Sequence, residues 1–373
     1  MTDQPSPSSS SPPLSETIPG GTRRFILPGI FVLVLFGVLF YRMPRKQATT
    51  HSVWHVQGRI FGTTYNIKVI HKTKLPKGLH MRLKAALQRV DEQMSTYNKK
   101  SELSRFNAFK QTTPFKVSAA LVQVVSKAHE ITKMTGGAFD VTIGPVINAW
   151  GFGPKKRIKP PAQDVLDKAK QRVGAAKLTY DNNTHTLRKT RADLYVDLSA
   201  IAKGYGVDVV GRELERAGFR DYMVEIGGEV RARGKNPRGI AWRIGIEKPG
   251  QGQQQIHTVV PLHNMSMATS GNYRNYITVQ GKRISHIIDA RTANPITHDL
   301  ASVSVFHKDC TTADALATAL FVLGAKEGLA LAETHKLAVA FLVPKGKGFV
   351  MRASKTFQAL TSPQHKKPAT RKP

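Results

Sequence analysis

Three scarcities narrow the reading before any motif is considered. The 373-residue chain has one cysteine, Cys310. A single thiol excludes an intrachain disulfide framework and any cysteine-based zinc site. It fits cytoplasm or periplasm equally. Acidic residues are the second scarcity: 25 Asp and Glu stand against 56 Lys and Arg, a formal net charge of +31. That balance points to an anionic partner, whether nucleotide, nucleic acid or lipid surface, without choosing among them. Long uncharged apolar runs are the third. One run, residues 25–41, reaches membrane-spanning length, while 40% hydrophobic residues overall suffice for a real core.

That run sets the N-terminal organisation. Residues 1–24 are a Ser/Pro-rich tail that cannot bury enough apolar surface to fold and is expected to be disordered. Residues 25–41 sit near the lower limit of about 17 residues for a transmembrane helix. Arg23 and Arg24 precede the run, Arg42, Arg45 and Lys46 follow it, and Tyr41 suits an interface. No small-x-small cleavage site follows, which disfavours a cleaved signal peptide. No cysteine lies there, which excludes a lipoprotein anchor. The flanking charges slightly favour a cytoplasmic C-terminal flank.

The folded part is expected over residues 51–353, with a basic tail over 354–373. Alternation across 53–69 predicts two strands, with the FGTTY stretch inside or between them. Leu79, Leu83, Leu87, Val90 and Met94 have helical spacing, predicting a helix over 78–94. Further helices are expected over 118–135, 163–173 and 201–217, a connection over 101–107, and a loop over the Gly- and Pro-rich 144–154. Strand patterns occupy parts of 178–197, much of 222–305, and 338–343. Helices and strands mixed without strict βα alternation argue for an α+β fold of mostly antiparallel sheets flanked by helices.

Six stretches carry candidate chemistry. Residues 309–324 read as a helix closed by Gly324, with Asp314 and Thr318 stacked on one face. A carboxylate and a hydroxyl so placed can hold a hard cation such as Mg²⁺. Equally, Thr311 and Asp314 can form a capping box, and Thr318 can bond back along its own helix. The GGAFD stretch reads either as a C-cap before a strand or as a tight turn presenting Phe139 and Asp140 to a flat ligand. Asp197 to Lys203 runs from strand to helix, with Ser199 a plausible N-cap and the helix start suited to a phosphate, or to no ligand at all. Gly227-Gly228 reads as a turn between strands. The small residues from Met267 to Arg274 read as a phosphate-cradling turn or a plain hairpin. His286 lies three residues from Asp289, as an oriented general base would, or as a structural pair would.

Taken in order, these stretches resemble the ApbE family of flavin transferases, which use FAD as donor and attach FMN covalently to a protein threonine. The resemblance rests on MSTY with SELSRFN, then GGAFDVTIGP, VDLSAIAKGY, EIGGEVRARG, ATSGNYRNY, SHIIDARTANP and ADALATALFVLG, across roughly 58–343. It implies that Asp314 and Thr318 are side-chain ligands of Mg²⁺, with the main-chain carbonyls of Ala200 and Ala317 beside them. It implies FAD contacts at Tyr97, Ala138, Phe139, Asp140, Asp197, Lys203 and Ile288, and makes His286 the base near the reacting phosphate. Arg274 adds positive potential. Two departures stand out: Phe61 replaces the family's usual Met, and Ala317 replaces a second Asp found in some relatives. The implied partners are FAD, an acceptor redox protein carrying the target threonine and, through residues 25–41, the bacterial inner membrane, but no nucleic acid. The catalytic domain is expected to face the periplasm, against the slight charge count. Mg²⁺-dependent hydrolysis of FAD to FMN and AMP, and non-catalytic flavin binding, stay open as alternatives.

Overall fold

The computed structural model describes residues 52–72, 74–153, 160–250, 255–271, 276–279 and 282–362. The expected tail over 1–24, the expected anchor over 25–41, Arg274 and the last residues of the basic tail lie outside the described residues.

Among the described residues, one sheet of eight strands organises the molecule: β1 (Ser52–Ile60), β2 (Thr63–His71), β3 (Tyr222–Ile226), β4 (Glu229–Arg233), β5 (Met265–Gly271), β6 (Ser302–His307), β7 (Ala338–Lys345) and β8 (Gly348–Ala353). Spatial order follows chain order, and every neighbouring pair is antiparallel. The helices are α1 (Leu79–Met94), α2 (Glu102–Ala108), α3 (Ala119–Met134), α4 (Gly144–Ala149), α5 (Gln163–Lys170), α6 (Ala202–Arg216), α7 (Cys310–Thr334) and α8 (Lys355–Thr361). This is the expected α+β arrangement.

The two-residue period of the strands assigns the faces. In β7, Val339 and Phe341 join the main core with α3 and α7, while Ala338, Ala340 and Leu342 join a second core on the other side. That second side is covered by a hairpin of strands Trp242–Lys248 and Gln255–Leu262, and by Phe357 of α8. In β4, Val230 and Ala232 belong to the second core. Glu229, Arg231 and Arg233 therefore point to the opposite face, toward α6.

Helix α7 is the axis of the main core. From Cys310 to Val322 every residue is buried except Thr318. Gly324 (φ 73°, ψ 178°) breaks the helix as expected of a terminator, but a second helical stretch resumes directly after it.

Four local expectations are corrected. The connection at 101–107 is helix α2, capped by Ser101, whose Oγ accepts from Ser104 N at 3.0 Å. Part of the expected loop at 144–154 is α4, where Pro145 in the first turn costs no hydrogen bond. Residues 267–271 lie in β5 rather than in a turn. Within the basic tail expected to lie beyond the folded part, Ser354 caps α8 and Phe357 is buried beside Phe306.

Candidate active site

The segment leading into the site is pinned by α2. The Asn107 side chain exchanges two 2.8 Å hydrogen bonds with the backbone N–H and C=O of Val196, acting as a short strand partner. Buried Lys189 donates to the Phe106 carbonyl at 2.9 Å, at the helix end that favours a cation. Burial pushes its pKa down to about 8.

After Val196 the chain turns into α6 without the expected Ser199 cap. Asp197 Oδ1 accepts from Ser199 N–H at 2.8 Å, and the helix begins at Ala202 with no side-chain cap from its own sequence. The cap comes from α7 instead: Gly204 N–H donates to Asp314 Oδ2 at 2.9 Å. Ile201 and Ala202 N–H go to the Leu198 carbonyl, and Tyr205 N–H goes to that of Ile201. No backbone N–H among the described residues takes the Ala200 carbonyl.

This geometry rejects the capping box at Thr311 and Asp314. The N-cap of α7 is Asp309, accepting from Thr312 N–H at 2.9 Å. Asp208 of α6 takes the Cys310 and Thr311 N–H groups at 3.0 and 2.9 Å and the Thr311 hydroxyl at 2.7 Å. Asp208 is held in turn by Arg231 at 2.7 Å, and Arg231 by Glu215 at 2.9 Å. With α7 capped by Asp309 and Asp208, Asp314 is not needed at its own helix start, and one of its oxygens faces the start of α6 instead.

Close approach of α6 and α7 depends on Gly204. A Cβ there would lie 2.3 Å from the Cys310 carbonyl oxygen and 2.8 Å from Asp314 Cβ. Around Asp314 the electrostatics are tight. Lys203 Nζ lies 3.4 Å from Asp314 Oδ1 and 3.2 Å from Glu229 Oε1. Burial would lower the Lys203 ammonium, but the two carboxylates outweigh it and hold its pKa above the ordinary lysine value. Burial pushes the Glu229 carboxyl up and Asp314 adds to that, while the adjacent Lys203 ammonium opposes it and favours the charged form. The Gly227-Gly228 turn makes room for this chain: a Cβ on Gly227 would lie 3.3 Å from Lys203 Cδ.

Thr318, one turn after Asp314, meets Ser270 Oγ across the helix–sheet boundary at 3.3 Å. Carboxylate, hydroxyls and an open carbonyl form a set of hard oxygen donors, the chemistry a Mg²⁺ ion requires. Ala317, the other expected carbonyl donor, is buried inside α7.

Of the remaining expected positions, Asp197 lies on the segment that leads into α6. Asp197 N–H donates to the Val141 carbonyl at 2.7 Å, joining the 138–143 turn to the start of α6. Ala138 and Phe139 are buried, so this turn offers a ligand backbone more than side chain. Asp140 accepts from Thr142 N–H at 2.8 Å, Thr142 Oγ1 at 2.7 Å and Ala175 N–H at 2.9 Å, which rigidifies the turn. The stretch after Phe139 is thus a turn, not a strand. Tyr97 is 71% exposed, and Ile288 is buried in a two-stranded ribbon with Pro295. His286 is half-buried, its ring edge-on to Phe152 at 6.3 Å between centroids. Asp289 forms a two-pronged pair with Arg291, at 3.0 and 2.8 Å. Phe61 has a positive φ of 51°, and its ring packs on Gly206 of α6.

Sequence reasoning missed Glu229, Gly204, Ser270 and Asp208. Each lies in or beside a stretch singled out above, but the long-range contact that gives it meaning has no local signature.

Comparison with known proteins finds both sequence relatives and solved structures of similar fold. The ApbE family profile matches residues 61–342. The FAD:protein FMN transferase of Haemophilus influenzae is 46% identical over 318 residues, covering 83% of this chain and 92% of that protein. The protein of the same name from Escherichia coli K12 is 36% identical over 320 residues, covering 84% and 91%. Among solved structures, the flavin transferase ApbE from Vibrio cholerae aligns with a TM-score of 0.77 at 43% identity, covering 83% of this chain and 99% of that one. The apo flavinyl transferase ApbE of Pseudomonas stutzeri gives 0.77 at 38% identity, covering 83% and 97%.

Proposed function

The chain belongs to the ApbE family, and from that premise we infer that it is an enzyme, an FAD:protein FMN transferase. The acceptor atom is a threonine hydroxyl, and the reaction uses Mg²⁺. The observation that carries the site is Asp314: a buried carboxylate, not needed to cap its own helix, that faces the start of α6 at Gly204 and lies one turn from Thr318.

The threonine oxygen attacks the phosphorus on the FMN side of the FAD pyrophosphate. A new P–O bond forms, the bond to AMP breaks, and the hydroxyl proton is lost. Asp314, Thr318 and the carbonyls of Ala200 and Ala317 would hold Mg²⁺, which when bound neutralises negative charge on the phosphates. Lys203 holds positive charge at the same helix start. His286 accepts the threonine proton, worth about 10²–10⁴-fold in rate. Tyr97, Asp140, Asp197 and Ile288, with the backbone of Ala138 and Phe139, line the flavin side, and Arg274 adds charge near the phosphates.

Residues 25–41 anchor the chain once in the bacterial inner membrane, with the enzyme facing the periplasm, where its acceptor is a redox protein. The uncharged run between Arg24 and Arg42 supports this placement. Protease access to the folded part in spheroplasts tests it, and protection from protease would refute it. The reaction is tested by chromatography of FAD, FMN and AMP with and without a threonine-bearing acceptor domain. Transfer yields AMP without matching free FMN. Equal free FMN and AMP, unchanged by acceptor, would mark a hydrolase instead.

A further inference from the structure

The roles assigned above leave Glu229 without one. It follows the Gly227-Gly228 turn, and strand alternation sends its side chain to the α6 face, where it is 3% exposed. Oε1 pairs with Lys203 at 3.2 Å, and Oε2 is buried with no hydrogen-bond partner among the described residues. The same ammonium lies 3.4 Å from Asp314 Oδ1. One cation is therefore shared by two buried carboxylates. A divalent ion using Asp314 would meet that ammonium at the same carboxylate, and like charges at such separation repel strongly at low dielectric. Lys203 needs a second seat, and the unpartnered Oε2 supplies one.

Resting on the metal site read above, we propose that Glu229 is a positioning residue for metal binding. It holds the Lys203 ammonium when a divalent cation takes Asp314, so that lysine and metal occupy the site together. Glu229 is not itself a metal ligand; it acts through Lys203.

The test is metal affinity without turnover. The full chain is titrated with Mn²⁺, free ion being read by its EPR signal, and with Mg²⁺ by calorimetry, FAD being absent. Contacting charged residues commonly couple strongly enough for Glu229→Gln to weaken binding about tenfold. In a Lys203→Met background the same substitution should change affinity by less than about threefold, because the charge Glu229 restrains is gone. Lys203→Met/Glu229→Gln removes both charges, so this arm stands even if Glu229→Gln alone folds poorly. Glu229→Asp, which keeps the carboxylate, should bind metal like the wild type. An equal loss in both backgrounds would overturn the proposal, since Glu229 would then act on the metal directly. Wild-type affinity in Glu229→Gln would overturn it too. Failure of the underlying site looks different: Asp314→Ala would bind metal as well as the wild type, or the wild type would not bind at all.

Discussion

Gly204→Ala should disable the enzyme far more than it destabilises it. The new Cβ would stand 2.3 Å from the Cys310 carbonyl oxygen, 2.7 Å from the Cys310 carbonyl carbon and 2.8 Å from Asp314 Cβ. Ordinary contact begins at 3.4 Å, so α7 must retreat from α6 by about 1 Å at its first turn. The obstacle is main chain, which has no rotamer to change. Overpacking of this kind costs about 1–3 kcal/mol. The gain in helix propensity from Gly to Ala returns roughly 1 kcal/mol. The net loss of stability should be about 0–2 kcal/mol, well within what such a domain survives. The retreat carries Asp314 with it, lengthening the 2.9 Å bond from Gly204 N–H and moving the carboxylate away from the start of α6. A displacement of about 1 Å at a reacting centre can cost about a hundredfold in rate. Urea unfolding reports the first quantity and FAD-dependent AMP release the second. A variant within threefold of wild-type turnover would show that the α6–α7 approach does not position Asp314.

Three further outcomes are expected. His286→Asn should retain FAD binding and slow transfer by about 10²–10⁴-fold; near-normal transfer would remove His286 from the base role. Asp208→Asn removes one of the two carboxylates that hold Arg231, Glu215 remaining at 2.9 Å, and weakens the cap on α7, so urea unfolding should show a loss of about 1–3 kcal/mol, and a loss under about 0.5 kcal/mol would contradict that. At Asp309 burial would raise the pKa, but hydrogen bonds from His307 and Thr312 outweigh it and hold the carboxyl well below the ordinary range. Its folded value therefore lies below its unfolded value of about 3.9, so its contribution is present above about pH 4 and lost as pH falls further. Urea midpoints measured from pH 7 to pH 3 should fall less steeply for Asp309→Asn than for the wild type, and identical slopes would refute the assignment.

Much of the fold was legible because periodicity is a local property. The apolar spacing from Leu79 to Met94 and the alternation before and after Phe61-Gly62 needed no tertiary knowledge. Short helices were not legible. Residues 102–108 hold only seven residues of pattern, and Gly144-Pro145 looks like a loop although Pro at a helix start is favoured. In the site, the stacking of Asp314 and Thr318 was readable from a four-residue interval. What that stacking served was not. Local sequence offered a capping box, and only Asp208, 102 residues earlier, shows that α7 is capped by α6 while Asp314 caps α6 in return. Glu229 was hidden for the same reason: in sequence it ends a glycine turn, and its charge acquires meaning only beside Lys203.

The most direct measurement is the intact mass of an acceptor domain after incubation with this enzyme, FAD and Mg²⁺. Transfer adds one FMN less one water, the increment disappears when the acceptor threonine is replaced by Ala, and it disappears when Asp314→Ala is the enzyme. An unmodified acceptor beside accumulating free FMN, or an increment that survives loss of the threonine, would contradict transfer to a threonine hydroxyl at this site.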